Sequence, residues 1–524
     1  MKHGAPVAAA LAAAMALPSL RNEFVYDDAL VVLQNPLVHG LAHSRELWQS
    51  SYWPAGLLYR PATTQLFALE WTLGGGSPVL FHAVGILLAA LTALLVFRLC
   101  RRLLPEPAAV LAAVLFALHP VHVEVVAGVV GQAELLAALC ALLAVERFLA
   151  WSAEGEIAPG RRLLLAGLTL LGILAKETGY VIPLLLAAAH LTAVRQRRER
   201  PGNVYILQAA AVAAGLLLRI MVLGSFAGES PATMLRGLNV GSRAVAMLAV
   251  VPEWVRLLLW PAHLQAEYGP PALPVSSVPG AAHIAGLALL IALLLLLLRS
   301  WRRQPVLAFG LLWMLLALAP VSNVLAPTGI LLAERVLFLP SVGLVIALGV
   351  GIAALLPAWR TAPPAARLAT VGTGLALLAL AGWKAVIRQA AWRSQDAFFA
   401  QLQQDAPRTY RAQFVASRYY YGEQRFAEAE LAARRALALY PLDPQVHEQL
   451  GQVLRVQGRC AEALPILSEG VRLSPEGTTV RSRLIECALA VGDTALARAA
   501  ATEAVRLGQP EFQHTLDRLD RRRP

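Results

Sequence analysis

Lysine is almost missing from this chain: it occurs three times, at Lys2, Lys176 and Lys384, and arginine carries the rest of the positive charge. Charged residues of every kind make up only 15% of 524 residues, against 57% hydrophobic, and the mean hydropathy is +0.58. So little charge excludes a purely soluble globular class. Cysteine is scarce as well. Cys100, Cys140, Cys460 and Cys487 form no CxxC pair and no zinc-ligand spacing, which excludes a disulfide framework or zinc module and leaves them as packing residues. No recognition module accompanies the net charge of +12, whose basic runs sit at the ends of apolar segments, so no nucleic-acid partner is expected.

What the chain does have is apolar length. Stretches suited to crossing about 30 Å of hydrocarbon recur at 4–20, 79–97, 108–128, 131–150, 163–175 with 179–194, 203–223, 243–260, 282–298, 305–324, 341–357 and 368–387. The expectation is a membrane domain over 1–387 with about 10–12 spans. The first stretch has a signal-like start but a poor cleavage site at Leu17, Pro18 and Ser19, and is read as a retained anchor. Arginine-rich loops at Arg98–Arg102, Arg161–Arg162, Arg195–Arg200, Arg299–Arg303 and Arg360–Arg367 are assigned to the cytoplasm, which places 21–78, the turn at His119–Glu124, 325–340 and everything after 388 on the periplasmic side. Pro252, Glu253 and Arg256 mark 243–260 as re-entrant or interfacial, and Lys176, Glu177 and Thr178 form a polar tip between two short helices.

Beyond Trp392 the hydropathy falls and Ala, Leu, Glu and Arg recur at helical spacing. After a linker at 388–405, a period of 34 residues appears: 410–443, 444–477 and 478–511 align without gaps, with Ala429, Ala463 and Ala497 at one position. Pro441 and Pro475 follow the second helices. That period is the tetratricopeptide helix-turn-helix signature, so 406–511 is read as a soluble α-solenoid with a peptide-binding concave face, followed by a basic tail at 512–524.

Ionisable groups at membrane depth are costly, about 2.5–3.5 kcal/mol on insertion scales, so each one away from a cytoplasmic end is a candidate for function. Asp27 and Asp28, in Phe24-Val-Tyr-Asp-Asp, follow the first span; mutual repulsion suits one of them to general-base work, and a solvated loop or helix cap is the plain alternative. His119, His122 and Glu124 lie at a span end. Their spacing is not HExxH, and a helix-end hydrogen-bond network is preferred over a metal site. Lys176 and Glu177 are a pair with each other or with neighbours. Arg335, beside Glu334, has the geometry to grip a phosphate or to pair with that neighbour, and Arg60, in Tyr59-Arg-Pro, is a second phosphate candidate or a snorkelling side chain.

Taken in order, the acidic pair, the Tyr-Arg-Pro, the string His119-Pro-Val-His-Val-Glu with Gly131-Gln-Ala-Glu following, Ala175-Lys-Glu-Thr-Gly, Ala333-Glu-Arg-Val-Leu-Phe-Leu-Pro-Ser and the repeats resemble the transmembrane and tetratricopeptide repeat-containing O-mannosyltransferases, of which this chain looks like a bacterial relative. The resemblance implies an all-α protein with a polytopic membrane domain of the GT-C glycosyltransferase type. It implies sugar transfer, mannose-like, from a polyprenyl-phosphate donor to Ser/Thr hydroxyls of exported proteins, at the bacterial inner membrane. Asp27 and Asp28 become the catalytic carboxylates and Arg335, with Arg60, the donor-phosphate ligands. His122, Glu124, Lys176, Glu177 and Glu334 become supporting polar residues. No cofactor and no metal ion is required, because arginine can neutralise a leaving monophosphate. The partners are membrane lipid, lipid-linked sugar, and acceptor polypeptides held by the repeats. A non-catalytic repeat scaffold would need no acidic pair at the membrane face, and a transporter of lipid-linked sugars would favour an internal duplication, which 1–387 lacks. The orientation is checked with a reporter active only in the cytoplasm, fused after residue 524: it should be silent, and activity would place Asp27 on the wrong side for exported acceptors.

Overall fold

The computed structural model describes residues 4–53, 56–193, 202–225 and 232–520. Among them there are helices and turns but no β-strand. Seven helices are long and apolar enough to cross a membrane, and a bent pair, Glu106–Ala117 with Pro120–Ala127, makes up to eight. The chain is therefore a multi-pass α-helical membrane protein. It divides into two compact units, Met1–Ala266 with Ser276–Phe398, and Glu267–Val275 with Phe399–Pro524.

In the first unit the long helices are α1 (Gly4–Ala16), α2 (Pro61–Gly74), α3 (Pro78–Leu103), α4 (Glu106–Ala117), α5 (Gln132–Glu154), α6 (Pro159–Ala175), α7 (Ile182–Leu191), α8 (Gly202–Leu223), α9 (Ala281–Arg303), α10 (Pro305–Leu318), α11 (Phe338–Thr361) and α12 (Pro364–Arg388). Proline opens many of them, where its missing N–H is harmless and its fixed φ suits the first turn. Helix α1 packs along α3 and α4, with Ala8, Ala12 and Ala16 facing inward. The 243–260 stretch is two short helices, Val240–Leu248 and Val251–Leu259. The run Arg195–Arg200 lies outside the described residues.

Helices α3 and α5 carry a charge cluster at one end: Glu146, fully buried, takes Arg98 (3.3 Å), Arg102 (2.8 Å) and Arg147 (2.5 Å). Glu134 lies twelve positions earlier on α5, about 18 Å away along the axis. The two ends of this helix therefore serve two separate polar regions.

Small residues let backbones meet. Gly310 of α10 faces Gly343 of α11, where a Cβ on either would come within 2.8 or 2.4 Å of the other's carbonyl oxygen, and Trp313 Nε1 donates to the Leu339 oxygen at 2.9 Å beside them. At the end of α6 the chain folds back as a 3-10 turn, Glu177–Val181, and Gly179 rests on the α6 backbone: a Cβ there would lie 2.2 Å from the Gly172 carbonyl carbon. This reversal leaves Lys176 and Glu177 at the tip.

The second unit holds three helix pairs: α14 (Tyr410–Gly422) and α15 (Phe426–Leu439), α16 (Pro444–Val456) and α17 (Cys460–Leu473), α18 (Thr478–Ala490) and α19 (Thr494–Arg506). They follow α13 (Gln395–Asp405), so part of the stretch read as a linker, 388–405, is helical, with Gln389–Trp392 a 3-10 turn. Ala429, Ala463 and Ala497 have no exposed surface, because each sits where the second helix of a pair crosses the first. Asp443 caps α16 by accepting from the Gln445 amide (3.0 Å) and binds the Tyr410 hydroxyl (2.9 Å), tying the first repeat to the second. All four cysteines are buried free thiols. The turn at Gly179 offers a steric test: Gly179→Ala should cost about 1–3 kcal/mol. It should lower the unfolding temperature of the detergent-solubilised protein, while Gly167→Ala, which faces open space, should not.

Candidate active site

The site begins where α1 unwinds. A 3-10 turn, Leu17–Arg21, leads to Asn22, whose amide donates to the Ala127 carbonyl at 3.1 Å. Tyr26 then adopts the left-handed region, with φ 58°, uncommon for a residue carrying a ring. Beyond it the two carboxylates enter different surroundings. Asp28 is wholly buried, its oxygens accepting from the backbone N–H of Val130 (2.8 Å), Val129 (3.0 Å) and Val25 (3.3 Å). Burial pushes its carboxyl up to about 7, against the downward pull of those three amides. Asp28, read from the sequence as the neighbour of Asp27 at the reacting centre, staples the stem to the turn Val129–Gly131 through these backbone hydrogen bonds.

Asp27 is partly exposed and has a different partner. Its Oδ2 accepts from Arg335 Nη1 at 3.2 Å, and that nitrogen also donates to Glu124 Oε1 at 2.9 Å. The other oxygen of Glu124 takes the backbone N–H of Arg335 at 2.8 Å. One buried carboxylate thus fixes both the main chain and the side chain of the arginine. Glu334, the neighbour offered as an alternative partner for Arg335, accepts from the Gln265 backbone N–H at 2.5 Å, while Arg335 is held by Glu124 and Asp27.

A second group adjoins the first. Arg60 donates through Nε (3.0 Å) and Nη2 (2.7 Å) to Glu177 Oε2, with its guanidinium 4.7 Å from the centre of the Tyr52 ring. Arg219, from α8, reaches the other oxygen of Glu177 at 3.6 Å. Lys176 is bonded to Glu134 of α5, so Lys176 and Glu177 do not pair with each other. The groups lie within electrostatic reach: Lys176 senses Arg60 and Arg335, and Glu124 senses Asp27 and Lys176.

His122 sits against Phe116 and Phe338, its Nε2 2.9 Å from Ser341 Oγ, which itself donates to the Phe338 carbonyl. His119 bridges the Leu258 carbonyl and the Val121 amide. These are the helix-end hydrogen bonds anticipated for the two rings. Among the described residues no group of three or more His, Cys, Asp or Glu is arranged to hold a metal ion.

Three participants escaped the sequence reading. Arg219 is an ionisable residue inside an apolar span, which was itself a signal. Glu134 stood in the quoted string Gly131-Gln-Ala-Glu without an assigned partner. Tyr52 had no signal: its buried hydroxyl finds no partner among the described residues and lies within reach of the charges of Arg60, Asp27 and Arg335.

These observations define a polytopic membrane protein with a carboxylate–guanidinium cluster at one end of its helices and a separate unit of helix-pair repeats. Compared with curated proteins, the chain is 28% identical over 491 residues to the human protein O-mannosyl-transferase TMTC1, across 83% of this chain and 55% of that protein. It is 27% identical over 513 residues to mouse protein O-mannosyl-transferase TMTC4, across 85% of this chain and 63% of that one. The homologues are thus TMTC protein O-mannosyl-transferases, as the sequence resemblance implied, and this chain spans between half and two thirds of their length. No family model matches. Among solved structures, an Archaeoglobus fulgidus oligosaccharyltransferase with a tethered acceptor peptide aligns with 75% of this chain and 56% of its own, at a TM-score of 0.44 and 15% identity.

The contrast between neighbouring carboxylates is testable. Asp28→Asn turns an N–H₂ toward backbone donors and should cost about 1–3 kcal/mol, read as a lower unfolding temperature. Asp27→Asn, partly exposed, should leave that temperature nearly unchanged.

Proposed function

We propose that this chain is a membrane glycosyltransferase that moves a sugar, mannose-like, from a polyprenyl-phosphate donor to Ser/Thr hydroxyls of exported polypeptides. The observation that carries the reading is the contact of Asp27 with Arg335, a proton acceptor beside a cation fixed by Glu124. The homology to protein O-mannosyl-transferases supports the same chemistry.

In this mechanism the donor phosphate meets Arg335, with Arg60 as a second cation. Arg335 stays anchored through Glu124 and exchanges its contact with Asp27 for the phosphate. Asp27 is then free to take the proton of the acceptor hydroxyl. The hydroxyl oxygen attacks the anomeric carbon, the bond from that carbon to the phosphate oxygen breaks, and the new negative charge on the phosphate is met by the guanidinium. A single displacement inverts the anomeric centre. Charge neutralisation by arginine makes a metal ion unnecessary, and no other cofactor enters. The repeats recruit the acceptor, and the chain works in the bacterial inner membrane with its repeats in the periplasm. A bare scaffold or a lipid-sugar transporter gives no role to a carboxylate held against an anchored arginine, so the transferase reading is favoured.

The test is transfer of labelled mannose from purified polyprenyl-phosphate mannose to a Ser/Thr peptide by the purified full-length chain. Asp27→Asn should slow transfer about 10²- to 10⁴-fold, the usual range for losing a general base, and leave donor binding intact. Transfer by Asp27→Asn at the wild-type rate would overturn the assignment.

A further inference from the structure

The turn that carries Asp27 is held by a segment far away in sequence. Tyr26 keeps its left-handed backbone, φ 58°, and such a conformation persists for a non-glycine residue only where its surroundings over-determine it. Two of those surroundings come from the start of α13. The Tyr26 N–H donates to Gln395 Oε1 at 3.1 Å, and the Tyr26 ring stacks on Phe398, with centroids 4.9 Å apart and planes at 23°. Phe398 is itself buried and packs against Trp392 at 4.8 Å. Trp392 lies against Gly128, where a Cβ would come within 3.3 Å of its ring. Three residues before Tyr26, the Glu23 N–H donates to the Arg393 carbonyl at 3.1 Å. The stem 22–28 is therefore gripped on one side by Ala127–Val130 and on the other by 392–398, and all of these groups lie in the first unit.

We infer that Gln395 and Phe398 are positioning residues for Asp27: by fixing the strained Tyr26 turn they hold the carboxylate at its 3.2 Å contact with Arg335. This rests on the proposed transferase reading for its catalytic consequence, though not for the clamp itself. Neither residue touches the reacting atoms. Their effect is on the geometry of the acceptor carboxylate, and displacing a catalytic group by about 1 Å costs up to about 10²-fold in rate.

Two substitutions separate this from a packing role. Gln395→Met fills a similar volume without an acceptor for the Tyr26 N–H, and Gln395→Glu keeps an acceptor oxygen. With the full-length protein in lipid nanodiscs, Gln395→Met should raise hydrogen exchange in 24–28 while leaving the helices at 444–473 unchanged. It should lower kcat for mannose transfer about 10- to 100-fold with the KM for polyprenyl-phosphate mannose unchanged. Gln395→Glu should stay near wild type in both. Phe398→Leu, which keeps an apolar group without the stacked ring, should repeat the kcat-only loss and provides a second route if Gln395→Met does not fold. Unchanged exchange at 24–28 in both Gln395→Met and Phe398→Leu would overturn the inference, and so would equal transfer by Gln395→Met and Gln395→Glu. If the wild-type chain transfers no sugar, the transferase reading fails alone, and the exchange measurement still decides whether the clamp exists.

Discussion

The polar end of the membrane unit depends on the grip of Glu124 on Arg335. Glu124 is almost fully buried, and a carboxylate there is tolerated only when its charge is matched and its lone pairs filled. Arg335 does both, giving a guanidinium N–H to one oxygen and its own backbone N–H to the other. Because main chain and side chain are fixed together, the arginine has little freedom to follow a ligand. Removing one member of such a pair strands the other, typically at about 3–5 kcal/mol. The contact with Asp27 is longer and more exposed, so it is the part of the triad that can be traded while the rest stays in place.

The neighbouring pairs repeat this logic on other elements. Lys176 with Glu134 joins the tip after α6 to α5, and Glu177 with Arg60 and Arg219 joins the same tip to the first loop and to α8. Adjacent residues thus tie together different parts of the unit. The 3-10 turn makes this possible, and the turn exists because Gly179 lets it lie on the α6 backbone. Backbone contact and charge pairing are one arrangement here.

How far this could be read beforehand depends on whether the relevant signal is local. The repeats were legible because a 34-residue period and an alanine at each helix crossing are local patterns. Asp27, Glu124, Lys176, Glu177 and Arg335 stood out for being ionisable within apolar sequence, a local anomaly too. Partners were not legible. Glu334 was the obvious mate for Arg335 by adjacency, yet the carboxylate that holds it is 211 positions away, and Gln395 reaches Tyr26 across 369. The surroundings of Asp27 and Asp28 were hidden for a further reason: the turn that leads into them has a left-handed angle at Tyr26, a residue whose type gives no hint of it.

Helices α7 and α10 pack against each other, and both are short. Ten and fourteen residues rise about 15 and 21 Å, and the 3-10 turns at their polar-tip ends extend them only to about 25 and 27 Å. A bilayer core is about 30 Å thick, and α3, with 26 residues, is long enough to span it fully. Hydrophobic mismatch of this kind is relieved by local thinning, at fractions of a kcal/mol per Å. A bilayer matched to α3 would therefore have to thin wherever it meets this pair.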